Sequence, residues 1–330
     1  MKKWMAASVV LALLAAGGTN VHAAAQQASP QLVIKGTPVK SDAAPVIKSG
    51  RVLVPIRVVT EMLGGKVTWN TPEQTVSLRK WTDTIQLTLD KQTAVINRPG
   101  ESKPETRQLE APARLVNGRI YVPLRFVSEA FGYPVDWDGT TARVKSPLSM
   151  KEQEILASGS LEDARQLVKK QLLSGTVHYK HEALVYSYES EYRETTFLFP
   201  EGEALRGYMI QGDTIMRFEF KEDFPLAVWQ ARVKEGDKTT SVLQGHWTKA
   251  IGENPSIKKA FFTYTSGGWG DSFNEETGWI DPQGEYSQLG YKRLVGGEVE
   301  MSHGTIAYAQ THEKRQETVK FNKTGGAGKP

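Results

Sequence analysis

Twice in this chain a short apolar run enters a proline and then continues with apolar residues three and four positions apart. Residues 52–54 lead through Pro55 into Ile56, Val59 and Leu63, and residues 120–122 lead through Pro123 into Leu124, Val127 and Phe131. The first part has the composition of a strand. The second has the spacing of one helical face. Proline suits the first helical position, where its missing N–H would have no partner. Gly64 and Gly132 follow the apolar stripes, where a left-handed C-terminal cap is commonly needed. Val67 with Trp69, and Val135 with Trp137, then read as short strands before the turn signals 70–72 and 138–139.

The two copies share more than their pattern. Gly50-Arg51-x-x-Val54-Pro55-Ile56-Arg57, with Glu61, Gly64, Val67 and Trp69, returns 68 residues later as Gly118-Arg119-x-x-Val122-Pro123-Leu124-Arg125, with Glu129, Gly132, Val135 and Trp137. An ungapped offset of this kind is an internal repeat. Between the copies, residues 75–78 and 84–89 alternate apolar and polar, as half-buried strands do. Residues 97–106, rich in Pro, Gly and charge, read as an exposed loop. Arg57 with Glu61 and Arg125 with Glu129 stand four apart on a helix, either as a charged site or as intrahelical pairs. The small energy of exposed pairs favours the second. Trp69 and Trp137 could stack on a ligand, but their place after an apolar valine favours closing the core over the helix.

The doubled phrase resembles the copper amine oxidase N-terminal-like (stalk) domain, over residues 32–146. The resemblance implies a small α+β unit with an antiparallel sheet, and a non-catalytic appendage of secreted or cell-envelope proteins, commonly of Gram-positive bacteria. It implies neither copper nor redox cofactor in the domain itself. A full amine oxidase of this kind would make its quinone from the tyrosine of an Asn-Tyr-Asp/Glu motif, and this chain has no Asn-Tyr pair. No amine oxidase activity is expected.

Beyond this domain, residues 147–175 read as a hinge whose later part is a helix. Ser160 and Asp163 are placed to cap it, Ala164, Leu167, Val168 and Leu172 form its apolar stripe, and Gly175 stops it. From residue 176 to 310 the chain is strand after strand, at 195–199, 205–210, 214–220, 227–233, 239–248, 257–265, 284–294 and 298–310. Turn residues separate them. The expected fold class is therefore α+β: a repeat-built domain of antiparallel sheet and helices, then a mainly-β meander forming a barrel or sandwich. Residues 311–330 are polar and read as a frayed tail.

Composition narrows the setting. Lys2 and Lys3, an apolar stretch over residues 4–16 and Val21-His22-Ala23 make a secretory signal over residues 1–23, followed by a linker at 24–31. The apolar stretch is short for a membrane span. The chain has no cysteine, which excludes disulfides, thiolate metal sites, a cysteine nucleophile and a lipid-anchor cysteine. The formal charge is +4, and two of its positives lie in the leader. Such a balance leaves no footprint for nucleic acid.

Candidate chemistry is sparse. His178 and His181 with Glu182 could begin a metal site, completed by His246 or His303, but positions three apart face opposite sides of a strand. No metal and no cofactor is expected. Residues 267–279 read as a loop rich in glycine and tryptophan. Trp269, Asp271, Glu275, Glu276 and Trp279 there could bind a ligand, and with Asp281 the acids could act as paired carboxylates on glycosidic bonds. The leading expectation is a secreted, non-catalytic envelope protein that presents its β-rich domain to a glycan, a peptide or a surface protein. Cell-wall polymer is one possible partner, and no membrane contact is expected after cleavage of the leader. The alternative is a cell-wall polysaccharide or peptidoglycan hydrolase using the acids of that loop.

Overall fold

The computed structural model describes residues 29–41, 43–236, 239–257 and 259–317. The expected leader, most of the linker and residues 318–330 of the expected tail lie outside them. Among the described residues no helix is long and apolar enough to cross a membrane.

The repeat forms as its pattern dictates. Strand Arg51–Pro55 runs into helix Ile56–Met62 and strand Lys66–Asn70. Strand Arg119–Pro123 runs into helix Leu124–Ala130 and strand Val135–Trp137. The two proline-ended strands pair antiparallel with Val54 opposite Val122. These are the same position of the motif, so a local two-fold axis passes between them. Each proline closes its strand with an extended backbone (ψ 118° at Pro55, 122° at Pro123) instead of filling the first helical position. A proline has no ladder N–H to lose at a strand end.

Each copy then extends its own sheet. The first leads into a five-stranded antiparallel meander, Lys66–Asn70, Thr75–Lys80, Asp83–Thr88, Thr93–Asn97 and Glu105–Gln108. The second pairs with strand Thr141–Val144, beside which the opening strand Gln31–Ile34 lies parallel. That pair departs from the wholly antiparallel expectation. Strands so far apart in sequence can pair parallel because the intervening chain supplies the long crossover. The core joins both copies: Val54, Val59, Leu63, Val122, Val127 and Phe131 bury together with Val76, Leu78, Ile85 and Leu87.

Residues 147–175 fold onto the second domain and do not act as a hinge. Ser149 and Glu152 form a reciprocal capping box on helix Met150–Ser158, an element that the sequence pattern did not predict. Ser160 caps helix Leu161–Ser174 by accepting from the Asp163 N–H at 3.0 Å. Ala164, Leu167, Val168 and Leu172 are buried.

The second domain is one ten-stranded sheet. Its order is His178–Tyr179, Phe224–Arg232, Thr214–Lys221, Arg206–Gln211, Arg193–Pro200, Phe261–Trp269, Ser272–Ile280, Tyr286–Val295 and Glu298–Gly304, with Thr248–Gly252 beside Phe224–Arg232. The meander is therefore present. Its end strands do not pair with each other, so the sheet is open. Both faces are covered, as the two-residue period allows. Phe197, Phe199, Phe218, Phe262 and Tyr264 face the helices. Leu198, Ile215, Trp229 and Phe261 face Val242, Leu243 and Trp247. The expected strand at 239–248 is instead helix Thr239–Leu243 followed by a turn, because Val242 buries into that second face.

Residues 311–317 are not a loose tail. The Glu313 carboxylate meets the Arg165 guanidinium at 2.6 and 2.9 Å, with both side chains fully buried. Arg315 donates to the carbonyls of Ile155 and Gly159 at the end of helix Met150–Ser158. Glu317 accepts from the Ala204 and Leu205 N–H groups at 2.7 Å. A polar composition suggested fraying, but each charge here has a buried or backbone partner.

Candidate binding site

The two domains are locked by a hairpin. Between strands Thr214–Lys221 and Phe224–Arg232 the turn residues Glu222 and Asp223 both adopt left-handed backbones, φ 50° and 78°. Two such residues without glycine cost on the order of 1 kcal/mol each, so the surroundings must hold them. Asp223 is fastened by Lys35 at 2.5 Å and by the Ser146 hydroxyl at 2.8 Å. Phe224 leaves its own domain and joins the core of the first, edge-on to Trp81, Tyr133 and His178.

The socket for this hairpin is made by the repeat. Gly64 and Gly132 cap the two motif helices with left-handed backbones, φ 80° and 83°. A Cβ on Gly64 would stand 2.5 Å from the Glu222 carboxylate, and one on Gly132 would stand 2.9 Å from the Phe224 ring. Lys80, almost wholly buried, donates to Leu63 O at 2.6 Å and to the Tyr133 hydroxyl at 2.7 Å, and pairs with Glu222 at 3.2 Å. Burial lowers its pKa below the ordinary lysine range, against the opposing pull of Glu222. Its ammonium sits at a helix C-terminus, where positive charge is favoured. Asp83 of the first domain meets His178 of the second at 2.8 Å, so this histidine is engaged across the junction. His181 turns instead to the Glu182 carbonyl, and His303 to Gln288.

The other residues singled out in the sequence do not converge. Arg57 and Glu61 form an exposed pair at 3.9 Å, and Arg125 and Glu129 one at 3.7 Å. Trp137 packs half-buried on the first core. Trp69 does not close that core: it is 41% exposed, and lines a cleft of about 380 Å3 with Arg57, Val58, Leu115 and Ile120.

Residues 267–279 are not a loop. They are a hairpin of strands Phe261–Trp269 and Ser272–Ile280, whose tip holds Asp271. Glu275 and Glu276 are consecutive strand residues, so they face opposite sides. Glu275 accepts from the Tyr264 hydroxyl on the helix-covered face, at 2.5 Å. Glu276 accepts from Tyr286. They cannot flank one bond. Trp269, 62% exposed at the tip, donates to Glu191. Trp279 packs on the core near the other end of the strand. Asp281 orders the next turn through the Gln283 and Glu285 N–H groups.

Pattern reading passed over the irregular stretch between strands His178–Tyr179 and Arg193–Pro200. It carries no repeat, no period and no motif. Along it, beside the Arg98–Glu101 loop of the first domain, opens a cleft of about 390 Å3 lined by Tyr179, Leu184, Met209 and Met216. Gln230, 3% exposed, spends its side-chain amide on a single residue of this stretch, accepting from Leu184 N–H at 2.8 Å and donating to Leu184 O at 3.0 Å.

Two comparisons bear on this architecture. Residues 33–146 match the family model described as Copper amine oxidase N-terminal domain, so this part of the chain is a domain of that family. A protein of Brevibacillus choshinensis described as a protease inhibitor is 31% identical over 137 residues, 39% of this chain and 38% of that protein. The chain thus spans well under half the length of that relative.

Proposed function

We propose, taking the first domain as a copper amine oxidase N-terminal domain, that the chain is an exported, non-catalytic binding protein whose partner is a protease. The likeness to a protein described as a protease inhibitor carries the choice of partner. Of the glycan, peptide or surface protein that the sequence leaves open, this favours the peptide-like partner. The locked junction supports the division of labour. The repeat domain grips the second domain through a buried hairpin and so fixes its orientation, which lowers the entropy lost when a partner is met. The leader, with Lys2, Lys3 and its short apolar stretch, supports export. The hydrolase alternative finds no support in the opposed Glu275 and Glu276.

Inhibition assays test the proposal. The exported chain, titrated against secreted endopeptidases with small chromogenic substrates, should abolish the activity of at least one at near-equimolar ratio. Full protease activity at large molar excess, with no complex on gel filtration and binding only to cell-wall polymer, would overturn it.

A further inference from the structure

Residues 183–188 run as neither helix nor strand across the end of the second-domain sheet, and two buried or half-buried side chains fasten them. Gln230 holds both backbone groups of Leu184. Asp213 holds Ser187 three residues on: its carboxylate accepts from the Ser187 N–H at 2.9 Å and from the Ser187 hydroxyl at 3.1 Å, while its own N–H donates to Ser187 O at 3.0 Å. Arg232 at 2.6 Å and the Thr214 hydroxyl at 3.0 Å fix Asp213 in turn. Burial works against its ionisation, but these hydrogen bonds prevail and hold its carboxyl below the ordinary carboxylate range. The approach at Gly212 is close. A Cβ there, on a left-handed backbone of φ 51°, would stand 1.9 Å from Ser187 O, so glycine is required.

Between the two fastenings the chain is offered outward. Val185 is 56% exposed and Tyr186 47%. Among the described residues, the N–H and C=O groups of Ala183, Val185 and Tyr186 make no intramolecular hydrogen bond. In an extended chain the backbone groups of neighbouring residues point to opposite sides. With Leu184 turned inward on Gln230, Ala183 and Val185 present theirs outward. Endopeptidases bind substrates by adding such an edge to their own strand. A segment ordered in advance saves the entropy of ordering it on binding.

We propose, resting on the protease-binding reading above, that residues 183–188 are the segment that enters the protease, in the manner of a substrate. Val185 fills the primary pocket, and the Val185–Tyr186 peptide lies at the scissile position. The partner is an endopeptidase that takes a branched aliphatic side chain in that pocket. Hydrolysis adds the hydroxyl of water to the Val185 carbonyl carbon and a proton to the Tyr186 nitrogen. Gln230 and Asp213 hold Leu184 and Ser187 on one scaffold, so both new ends stay in place and release is slow.

The test uses the full exported chain, endopeptidases of aliphatic, aromatic and basic preference, and their active-site-blocked forms. Inhibition of an aliphatic-preferring enzyme is expected, with one slow cut mapped by mass spectrometry to Val185–Tyr186. Val185→Asp should weaken inhibition by roughly 30-fold or more, the size of a lost interface anchor, with an unchanged melting temperature. Val185→Lys should move inhibition to the enzyme of basic preference. Gly212→Ala should release Ser187 and turn slow cutting into fast cutting. If wild type inhibits and both Val185 variants inhibit equally, the segment assignment falls while the inhibitor reading stands. If wild type inhibits nothing and no blocked enzyme binds, both fall.

Discussion

The hairpin tip at Glu222–Phe224 and the segment around Val185 are each fastened by a handful of polar groups, yet the fastenings are opposite in kind. At the tip the side chains are consumed: Phe224 is buried in the first-domain core, Asp223 is paired with Lys35, and Glu222 lies against Lys80. Around Val185 the backbone of the flanking residues is held, and the central side chains are left to solvent. The first arrangement stores interaction energy within the molecule. The second withholds it, and so leaves a surface ordered but unspent. That difference separates a mount from a presenting surface, and it can be broken at either end.

The largest effect is expected at the mount. Phe224→Ala removes a buried ring that three aromatic groups surround, and should cost about 3–5 kcal/mol, as buried phenylalanines do. The two domains should then melt separately, whereas wild type melts in one transition by calorimetry. A single unchanged transition would show that the junction does not couple them. Gly132→Ala acts on the same contact from the other side, since its Cβ meets the packed Phe224 ring. Gly64→Ala meets only the end of a flexible glutamate and should be milder beyond the shared left-handed penalty.

Next in size is the Arg165–Glu313 pair, which straps residues 311–317 to the second domain. Glu313→Gln leaves a fully buried guanidinium without its counter-charge, and breaking buried pairs costs on the order of 3–5 kcal/mol. Arg165 keeps its bonds to the carbonyls of Pro200, Glu203 and Tyr308, so the lower end is expected. Burial alone would raise the Glu313 pKa. The hydrogen bonds and charge of Arg165, with the Gln310 and Gly202 N–H groups, outweigh it and lower the value from 4.5. A carboxyl depressed on folding stabilises fully above its unfolded pKa, and that stabilisation is lost as pH falls through the folded value. Wild type should therefore lose stability below about pH 4.5, and denaturation of Glu313→Gln should show a shallower acid slope. Parallel slopes would mean that the strap titrates elsewhere.

How far the sequence shows these features depends on the range of the interaction that makes them. The helices of the repeat are legible, because helical spacing and glycine stops are local signals within residues 50–69 and 118–137. The Ser160 cap is legible for the same reason. The docking of Phe224 is not: in sequence, Glu222-Asp223 is an ordinary turn, and its partners Lys35, Lys80 and Ser146 lie up to 188 residues away. The Gln230 and Asp213 fastenings are hidden likewise, since one amide and one carboxylate carry no periodicity. The misreading of residues 267–279 is of another kind. Glycines and tryptophans suggested a loop, but the glycines lie where strands approach closely: a Cβ on Gly267 or Gly268 would stand 2.7 or 2.3 Å from a neighbouring carbonyl oxygen.

The smallest effect distinguishes the two copies of the motif from each other. Trp69 lies opposite Val76, and Trp137 opposite Ala142. The copies are otherwise matched residue for residue, so their difference is a clean measure of burial. A tryptophan carries about 150–250 Å2 of buryable surface, and each Å2 removed from water is worth about 25 cal/mol. Trp137, packed on the core, should cost about 2–3 kcal/mol on replacement by alanine. Trp69, with much of its ring in the open cleft beside Arg57 and Leu115, should cost about 1–2 kcal/mol. Paired urea denaturations of Trp69→Ala and Trp137→Ala settle the order. If Trp69→Ala proved the more damaging, the cleft would be closed in solution and the ring part of the core after all. If Trp69→Ala left stability and protease inhibition alike unchanged, the two-fold symmetry of the repeat would be structural in origin, with one tryptophan kept in the core and its twin left idle at the surface.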